Sequence, residues 1–79
     1  MARLPQPKRA FSLDFTPLAQ RRRFLDLSQG DLAQVSGIHR VTLARTEKNL
    51  TSPSLEQLVA IARALGTPMH QLFYVVDTP

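Results

Sequence analysis

The sequence contains no cysteine. This absence excludes disulfide bonds, thiolate zinc sites and cysteine nucleophiles, and it is compatible with a reducing compartment. No apolar run approaches the about 20 residues that a membrane-spanning helix needs. The N-terminus is basic and proline-rich and lacks the apolar segment of a secretory signal, so we expect a cytoplasmic protein without a membrane partner.

Acidic residues are also scarce. The chain has ten lysines and arginines and six aspartates and glutamates, which gives a net charge of +4. Such a surplus suits a polyanionic partner, and nucleic acid is the most common one. The basic residues are unevenly distributed and fall mostly in two groups, Arg3, Lys8, Arg9, Arg21, Arg22 and Arg23, then Arg40, Arg45 and Lys48.

No pattern typical of an enzyme is present. The two histidines, His39 and His70, lack the spacing of metal ligands or of a carboxylate–histidine pair, and no glycine-rich phosphate-binding loop occurs. We therefore predict no catalytic residue, no metal and no cofactor. His39 fits better as a helix cap, and His70 as a surface residue.

The chain is long enough for one domain with a thin core. Residues 1–15 contain Pro5 and Pro7 without helical periodicity, which predicts a flexible basic N-terminal arm. Phe11, Leu13 and Phe15 alternate, however, so a short extended piece packing on the domain is an open alternative. Residues 16–79 are predicted to form the folded domain.

Apolar periodicity and capping signals predict five short helices, which together make a compact all-α bundle. Hydroxyl side chains precede four of them, and the pairs Ser28/Asp31 and Ser54/Gln57 fit capping boxes. The predicted helices are Pro17–Asp26, Gln29–Ser36, Arg40–Lys48, one along the stripe Leu55 to Leu65, and a short one across Met69 to Phe73. Residues 74–76 fit either an extension of the last helix or a strand.

The segment Gln29 to Glu47 has the features of a DNA-binding helix-turn-helix. Ala33 is small where two helices cross, and Gly37 permits the sharp turn between them. Three apolar residues, Leu32, Ile38 and Leu43, would lock the helices together. Helix-turn-helix proteins of this kind place the second helix in the major groove.

The outward face of this second helix, residues 40–48, supplies candidate DNA contacts. Arg40 and Arg45 can bond guanine edges, or a phosphate instead. Val41 can touch a thymine methyl if it faces outward, and lies in the core if the helix is phased differently. Ala44 is small enough to let the helix approach the bases. His39, just before this helix, is a further candidate DNA contact. The polar loop after the helix suits contacts to the DNA backbone through Lys48, Asn49 and Thr51.

The stretch Leu18 to Phe73 resembles the phage-repressor, Cro and XRE-like family. The matching elements are L-S-Q-x-x-L-A at Leu27–Ala33, Gly37-Ile38, Glu47, P-S-L-x-x-L at Pro53–Leu58 and A-x-A-L-G at Ala62–Gly66. The resemblance implies a five-helix, lambda-repressor-like domain that binds operator DNA, generally as a dimer. Two positions depart from the family pattern: Ser36, and Thr46 where an apolar residue is expected.

The resemblance also implies roles for three polar residues. Gln29 matches a glutamine that bonds a phosphate and braces a neighbouring base-contacting side chain, although it also fits a plain surface residue. Arg22 and Glu47 match the positions of a partly buried ion pair that joins the first helix to the third.

A predicted dimer interface lies at the C-terminal end. The segment carries no charge between residues 69 and 76, and its apolar residues are Met69, Leu72, Phe73, Tyr74, Val75 and Val76. An apolar character on all sides is hard to bury within so small a domain. The alternative is that these residues close the core of one monomer.

The function that these features favour is a sequence-specific transcriptional regulator. We expect a repressor that binds a palindromic operator as a homodimer. The alternatives are an antitoxin of the HipB type, which would bind a toxin protein as well as DNA, and a restriction–modification controller protein.

Overall fold

The computed structural model describes residues 11–77. Its elements, in chain order, are the strand β1 (Phe11–Asp14), the helices α1 (Thr16–Phe24), α2 (Gln29–Ser36), α3 (Arg40–Glu47) and α4 (Leu55–Leu65), a single 3-10 turn (Met69–Gln71) and the strand β2 (Tyr74–Asp77). The two strands pair antiparallel, with Asp14 opposite Tyr74 and Phe11 opposite Asp77. We call this pair of strands the ribbon.

Capping residues set the helix boundaries. Both predicted capping boxes are present: the Ser28 hydroxyl accepts the Asp31 N–H, and the Ser54 hydroxyl accepts the Gln57 N–H. The start of α1 differs from the prediction, because Thr16 lies inside the helix instead of capping it. The Asp14 carboxylate accepts both the Thr16 N–H, at 2.9 Å, and the Thr16 hydroxyl, at 2.6 Å.

One core holds the four α-helices together. Helix α2 packs against α3 and α4, and α1 packs against α3. Every helix contributes at least one side chain that is almost completely buried, and the largest of these are Leu18, Leu32, Leu43, Ile61 and Leu65. A buried leucine contributes about 1.5–3 kcal/mol. Leu43 is therefore one of the main contacts that hold α3 against the core.

The predictions of an all-α fold and of five helices are wrong. The described residues contain four α-helices and a two-stranded sheet, and the fifth predicted helix is only the 3-10 turn at Met69–Gln71. No helix continues past this turn. The Leu72 carbonyl accepts the Leu18 N–H at 3.1 Å and not an N–H one helical turn further on. The β-branched residues Val75 and Val76 then favour an extended chain.

The predicted boundary of the N-terminal arm at residue 15 is also wrong. Residues 11–14 form β1, as the alternating apolar pattern allowed, and Phe15 is buried in the core with 1% of its surface exposed. Residues 1–10 of that arm lie outside the described residues. Between residues 11 and 77, none of the helices has the length and apolar character to cross a bilayer.

Candidate nucleic-acid interface

The turn between α2 and α3 is built from three neighbouring residues. Gly37 ends α2 with a φ of 73°, in the left-handed region that glycine adopts without steric cost. The Ser36 hydroxyl accepts the Ile38 N–H at 3.3 Å, which gives this departure from the family pattern a role in the turn. The buried Ile38 side chain anchors the turn to the core.

His39 begins α3 as its N-cap. Its Nδ1 atom accepts the N–H of Val41 at 3.2 Å, so the predicted capping role of His39 is confirmed. The imidazole therefore satisfies one of the free N–H groups at the helix start.

The inner face of α3 packs against the core, and its one buried polar side chain, Thr46, is hydrogen-bonded. Leu43 and Thr46 are buried. The Thr46 hydroxyl donates to the Thr42 carbonyl at 2.9 Å, one turn earlier. A threonine is therefore accommodated where the family has an apolar residue, because the helix itself supplies the hydrogen-bond acceptor.

The outer face of α3 is open to solvent. Arg40 and Arg45 are exposed and Ala44 is half-buried. Val41 is 58% exposed, so it faces outward and the alternative of a core valine is wrong. The structure thus places these four predicted residues on one accessible helix face, with an apolar residue between two arginines.

The charge of this face is not neutralised within the described part of the chain. The one ion pair between residues 11 and 77 joins Arg22 to Glu47, so no carboxylate there pairs with Arg40, Arg45 or Lys48.

Arg21 of α1, in contrast, makes contacts within the domain that the sequence did not predict. Arg21 donates to the Leu65 carbonyl at 3.4 Å and lies 5.4 Å from the centre of the Phe24 ring.

The ion pair between Arg22 and Glu47 joins α1 to the end of α3. Two parallel hydrogen bonds connect the guanidinium to the carboxylate, at 2.7 Å and 2.9 Å, and the side chains are only 10% and 5% exposed. A further N–H of Arg22 donates to the Leu27 carbonyl at 2.7 Å. This bidentate geometry fixes α3 relative to α1.

The electrostatic balance at Glu47 favours its charged form. Burial alone would raise the pKa of Glu47, but hydrogen bonds from Arg22 and Gln29 and the positive charges of Arg22 and Arg23 outweigh it, so the pKa lies below its ordinary value. The hydrogen bond to Glu47 likewise raises the pKa of Arg22. The pair therefore stabilises the fold above the ordinary glutamate pKa and loses that contribution as the pH falls through the lowered pKa.

Gln29 lies at the first position of α2 and is linked to the same pair. Its side-chain nitrogen donates to a Glu47 oxygen at 3.2 Å, while its side-chain oxygen has no partner among the described residues. The bond to Glu47 thus orients the Gln29 side chain at the N-terminus of α2, where the N–H groups of a helix attract an anion. Sequence reasoning placed Gln29 at the interface but missed its contact with Glu47.

The three candidate residues in the loop after α3 differ in their exposure and contacts. Lys48 is exposed and Thr51 is half-buried. Asn49 is exposed, but both polar atoms of its side chain bond within the domain: its oxygen accepts the Phe15 N–H at 2.8 Å and its nitrogen donates to Asp14 at 3.2 Å. The structure gives Asn49 a role in joining this loop to β1, which favours a structural role over the predicted phosphate contact.

The residues of the predicted dimer segment also differ in burial. Leu72 is fully buried in the monomer core, so its assignment to an interface is wrong. Met69 and Phe73 pack against that core, with the Phe73 ring 5.9 Å from Phe15. The strand β2 is different, because Tyr74, Val75 and Val76 are exposed to 56%, 61% and 42%.

Between residues 11 and 77, no three histidine, aspartate or glutamate side chains lie close enough to hold a metal ion. The candidate site consists of the exposed face of α3, the loop after it and Gln29 at the start of α2.

Comparison with known proteins agrees with this architecture. Residues 18–72 match the family model HTH_3, described as Helix-turn-helix. The chain belongs to this helix-turn-helix family, of the XRE and Cro-like type.

Individual relatives extend the comparison. An HTH-type transcriptional regulator of Methanothermobacter thermautotrophicus is 37% identical over 62 residues, which cover 78% of this chain and 90% of the relative. The crystal structure of the restriction-modification controller protein C.AhdI from Aeromonas hydrophila has a TM-score of 0.71 at 31% identity, covering 73% of this chain and 88% of that one. The transcriptional regulator VanUg matches the fold with a TM-score of 0.78 over 95% of this chain, at 21% identity.

Other relatives are much longer. HTH-type transcriptional regulatory proteins of Methanococcus maripaludis are 32% identical over 66 residues, and the chain spans only 20% of their length.

Proposed function

We propose that the chain is a sequence-specific DNA-binding transcriptional regulator that inserts α3 into the major groove. The observation that carries this proposal is the exposed face of α3, where Arg40, Val41 and Arg45 project beyond a buried inner face. Membership of the helix-turn-helix family supports it. Arg40 and Arg45 bond base edges, Val41 contacts a thymine methyl, and Lys48, Thr51 and Gln29 hold phosphates.

Substitution of Arg40 and Lys48 separates base recognition from backbone contact. We expect Arg40→Ala to cost about 1–3 kcal/mol on the preferred site and to relax the choice of one base pair, because a guanine loses its bidentate partner. Lys48→Ala should weaken all sequences alike. Titration of each variant against the selected site and its single-base variants measures both effects. A uniform loss with both variants would assign Arg40 to a phosphate.

The regulator acts, in this proposal, as a homodimer on a palindromic operator. One recognition helix contacts only a few base pairs, so useful specificity calls for two half-sites about one DNA turn, roughly 34 Å, apart. The ribbon supports this arrangement, because Tyr74, Val75 and Val76 are exposed apolar residues on a two-stranded sheet. An isolated two-stranded sheet is marginally stable, and among residues 11–77 each strand has an edge with no partner strand. Repression follows from occlusion of a promoter.

The exposed residues of β2 provide the test of the dimer. Replacing Tyr74 and Val76 together with aspartate should convert a micromolar dimer into a monomer, because four carboxylates would meet in the interface. Light scattering measures the mass, and thermal unfolding shows that the monomer is folded. Val35→Asp is the control, since Val35 is 65% exposed on α2. A wild-type monomer, or a double variant that stays dimeric, would show that the interface lies elsewhere.

A restriction–modification controller is the second candidate. The likeness to C.AhdI at 31% identity, over 88% of that chain, favours it specifically. A restriction or methyltransferase gene beside the gene for this chain would support it. None of the relatives named here is described as an antitoxin, so a toxin partner is not supported.

A further inference from the structure

Asn49 connects the end of α3 to the ribbon. It is the second residue after α3, and its backbone adopts a φ of 59°, in the left-handed region. From this position its side-chain oxygen accepts the Phe15 N–H at 2.8 Å, and its side-chain nitrogen donates to the Asp14 carboxylate at 3.2 Å. The two bonds span 34 and 35 positions along the chain. The loop behind the recognition helix is thus attached to the last residue of β1.

Asp14 passes this attachment on to the ribbon. In the strand pairing it lies opposite Tyr74, the first exposed residue of β2. The same Asp14 oxygen also accepts the N–H and hydroxyl of Thr16, which tie it to the start of α1. These hydrogen bonds lower the pKa of Asp14, so the carboxylate is charged at neutral pH. A single charged side chain therefore meets α1, the loop after α3 and the ribbon.

The core supports the ribbon at its base and at Leu13, which packs against the core from the strand pair Leu13 and Val75. Phe15 is buried and packs against Phe73, so the points where the two strands leave the domain are fixed. Beyond that base, β2 is exposed along its whole length. The orientation of the ribbon relative to α3 then depends on Leu13 and on the contacts at the first pair of residues, Asp14 and Tyr74, where Asn49 donates to Asp14.

We propose that Asn49 and Asp14 are positioning residues that fix the angle between the recognition helix and the ribbon, and thereby set the half-site spacing that the dimer accepts. The inference rests on the proposed dimerisation through β2. With the ribbon at the two-fold axis, any rotation of α3 relative to β2 is doubled across the dimer. The side chain of Asn49 would then act on specificity without touching DNA.

Spacing preference is the quantity that tests this role. The probes are a selected palindromic operator, the same operator with one or two base pairs inserted at its centre, and an isolated half-site. The wild type should bind the insertion variants far more weakly than the operator. Asn49→Gly keeps the left-handed backbone but removes both side-chain bonds. We expect it to shrink the spacing preference by about 2- to 30-fold, with half-site affinity and dimer mass unchanged.

Two variants of Asp14 complete the design. Asp14→Ala should reproduce the loss of spacing preference, whereas Asp14→Asn keeps an oxygen acceptor and should retain it. An Asn49→Gly variant that keeps the wild-type preference, becomes monomeric, or loses half-site affinity to the same extent would overturn the positioning role. A wild type that binds the operator no better than the half-site would instead overturn the proposed dimer. The two failures are thus distinguishable.

Discussion

Raising the salt concentration from 50 to 200 mM should lower the affinity of the protein for its operator by about 10³- to 10⁵-fold. This magnitude is expected for a protein that neutralises about 6–10 phosphates and releases their counterions. The structure provides the groups for such contacts, since Arg40, Arg45 and Lys48 are exposed and are not paired with a carboxylate of residues 11–77. A dimer doubles their number. Titration of the operator at several salt concentrations measures the slope.

Two substitutions sharpen this measurement. Lys48→Ala should reduce the slope by about 2, because the dimer loses one phosphate contact in each half. Arg63→Ala should leave the slope unchanged, since Arg63 lies on α4 beside Glu56, Val59 and Val35 and away from the proposed interface. A nearly flat salt dependence of the wild type would contradict the assignment of the α3 face to DNA.

Replacing Glu47 with alanine should destabilise the free protein by about 3–5 kcal/mol. The substitution leaves the guanidinium of Arg22, whose side chain is only 10% exposed, without its carboxylate. A domain of this length has a free energy of unfolding of about 4–12 kcal/mol, so the loss is a large part of the total. Urea unfolding without DNA measures it, which separates the structural role of Glu47 from any effect on binding.

Matched variants identify the cause of that loss. Glu56→Ala removes an exposed glutamate from the first turn of α4 and should cost less than about 1 kcal/mol. Replacing the pair together, with Arg22→Met and Glu47→Leu, should recover much of the stability, because no charge is left unpaired. The recovery is incomplete if the Leu27 carbonyl, which accepts from Arg22, finds no new donor. An unchanged melting temperature of Glu47→Ala would refute the structural role of the pair.

The boundaries of α2 and α4 were predictable because their signals are local. Ser28, Ser54, Gly37 and Gly66 each mark a helix end through a hydrogen bond or a backbone conformation that depends only on neighbouring residues. The inner and outer faces of α3 followed from helical periodicity in the same way. Only the orientation of Val41 was left open, because an apolar residue fits either face of a short helix.

The C-terminal end was harder to predict because it depends on residues far along the chain. β2 exists through its pairing with β1, some 60 residues earlier, and the short apolar run that forms it carries no period that separates strand from helix. The burial of Leu72 could not be predicted, because the sequence does not show that Phe15 and Leu18 share a core with Leu72.

The polar contacts of the candidate site show the same limit. The pairing of Arg22 with Glu47 was predicted through the resemblance to a known family, and spacing alone would not have indicated it. The Asn49 side chain fits a phosphate contact as well as an internal one, and only the fold brings it to Asp14 and Phe15. No local signal in the sequence would have found that contact.

Selection of binding sites from randomised duplex DNA tests the central claim most directly. We expect enrichment of a two-fold symmetric site whose half-sites lie about one DNA turn apart. We also expect Arg40→Ala to lose its preference at one symmetric pair of positions while the rest of the site is retained. Failure to enrich any sequence, or enrichment of a site unaffected by Arg40→Ala, Val41→Ala and Arg45→Ala alike, would contradict the assignment of α3 as the recognition helix.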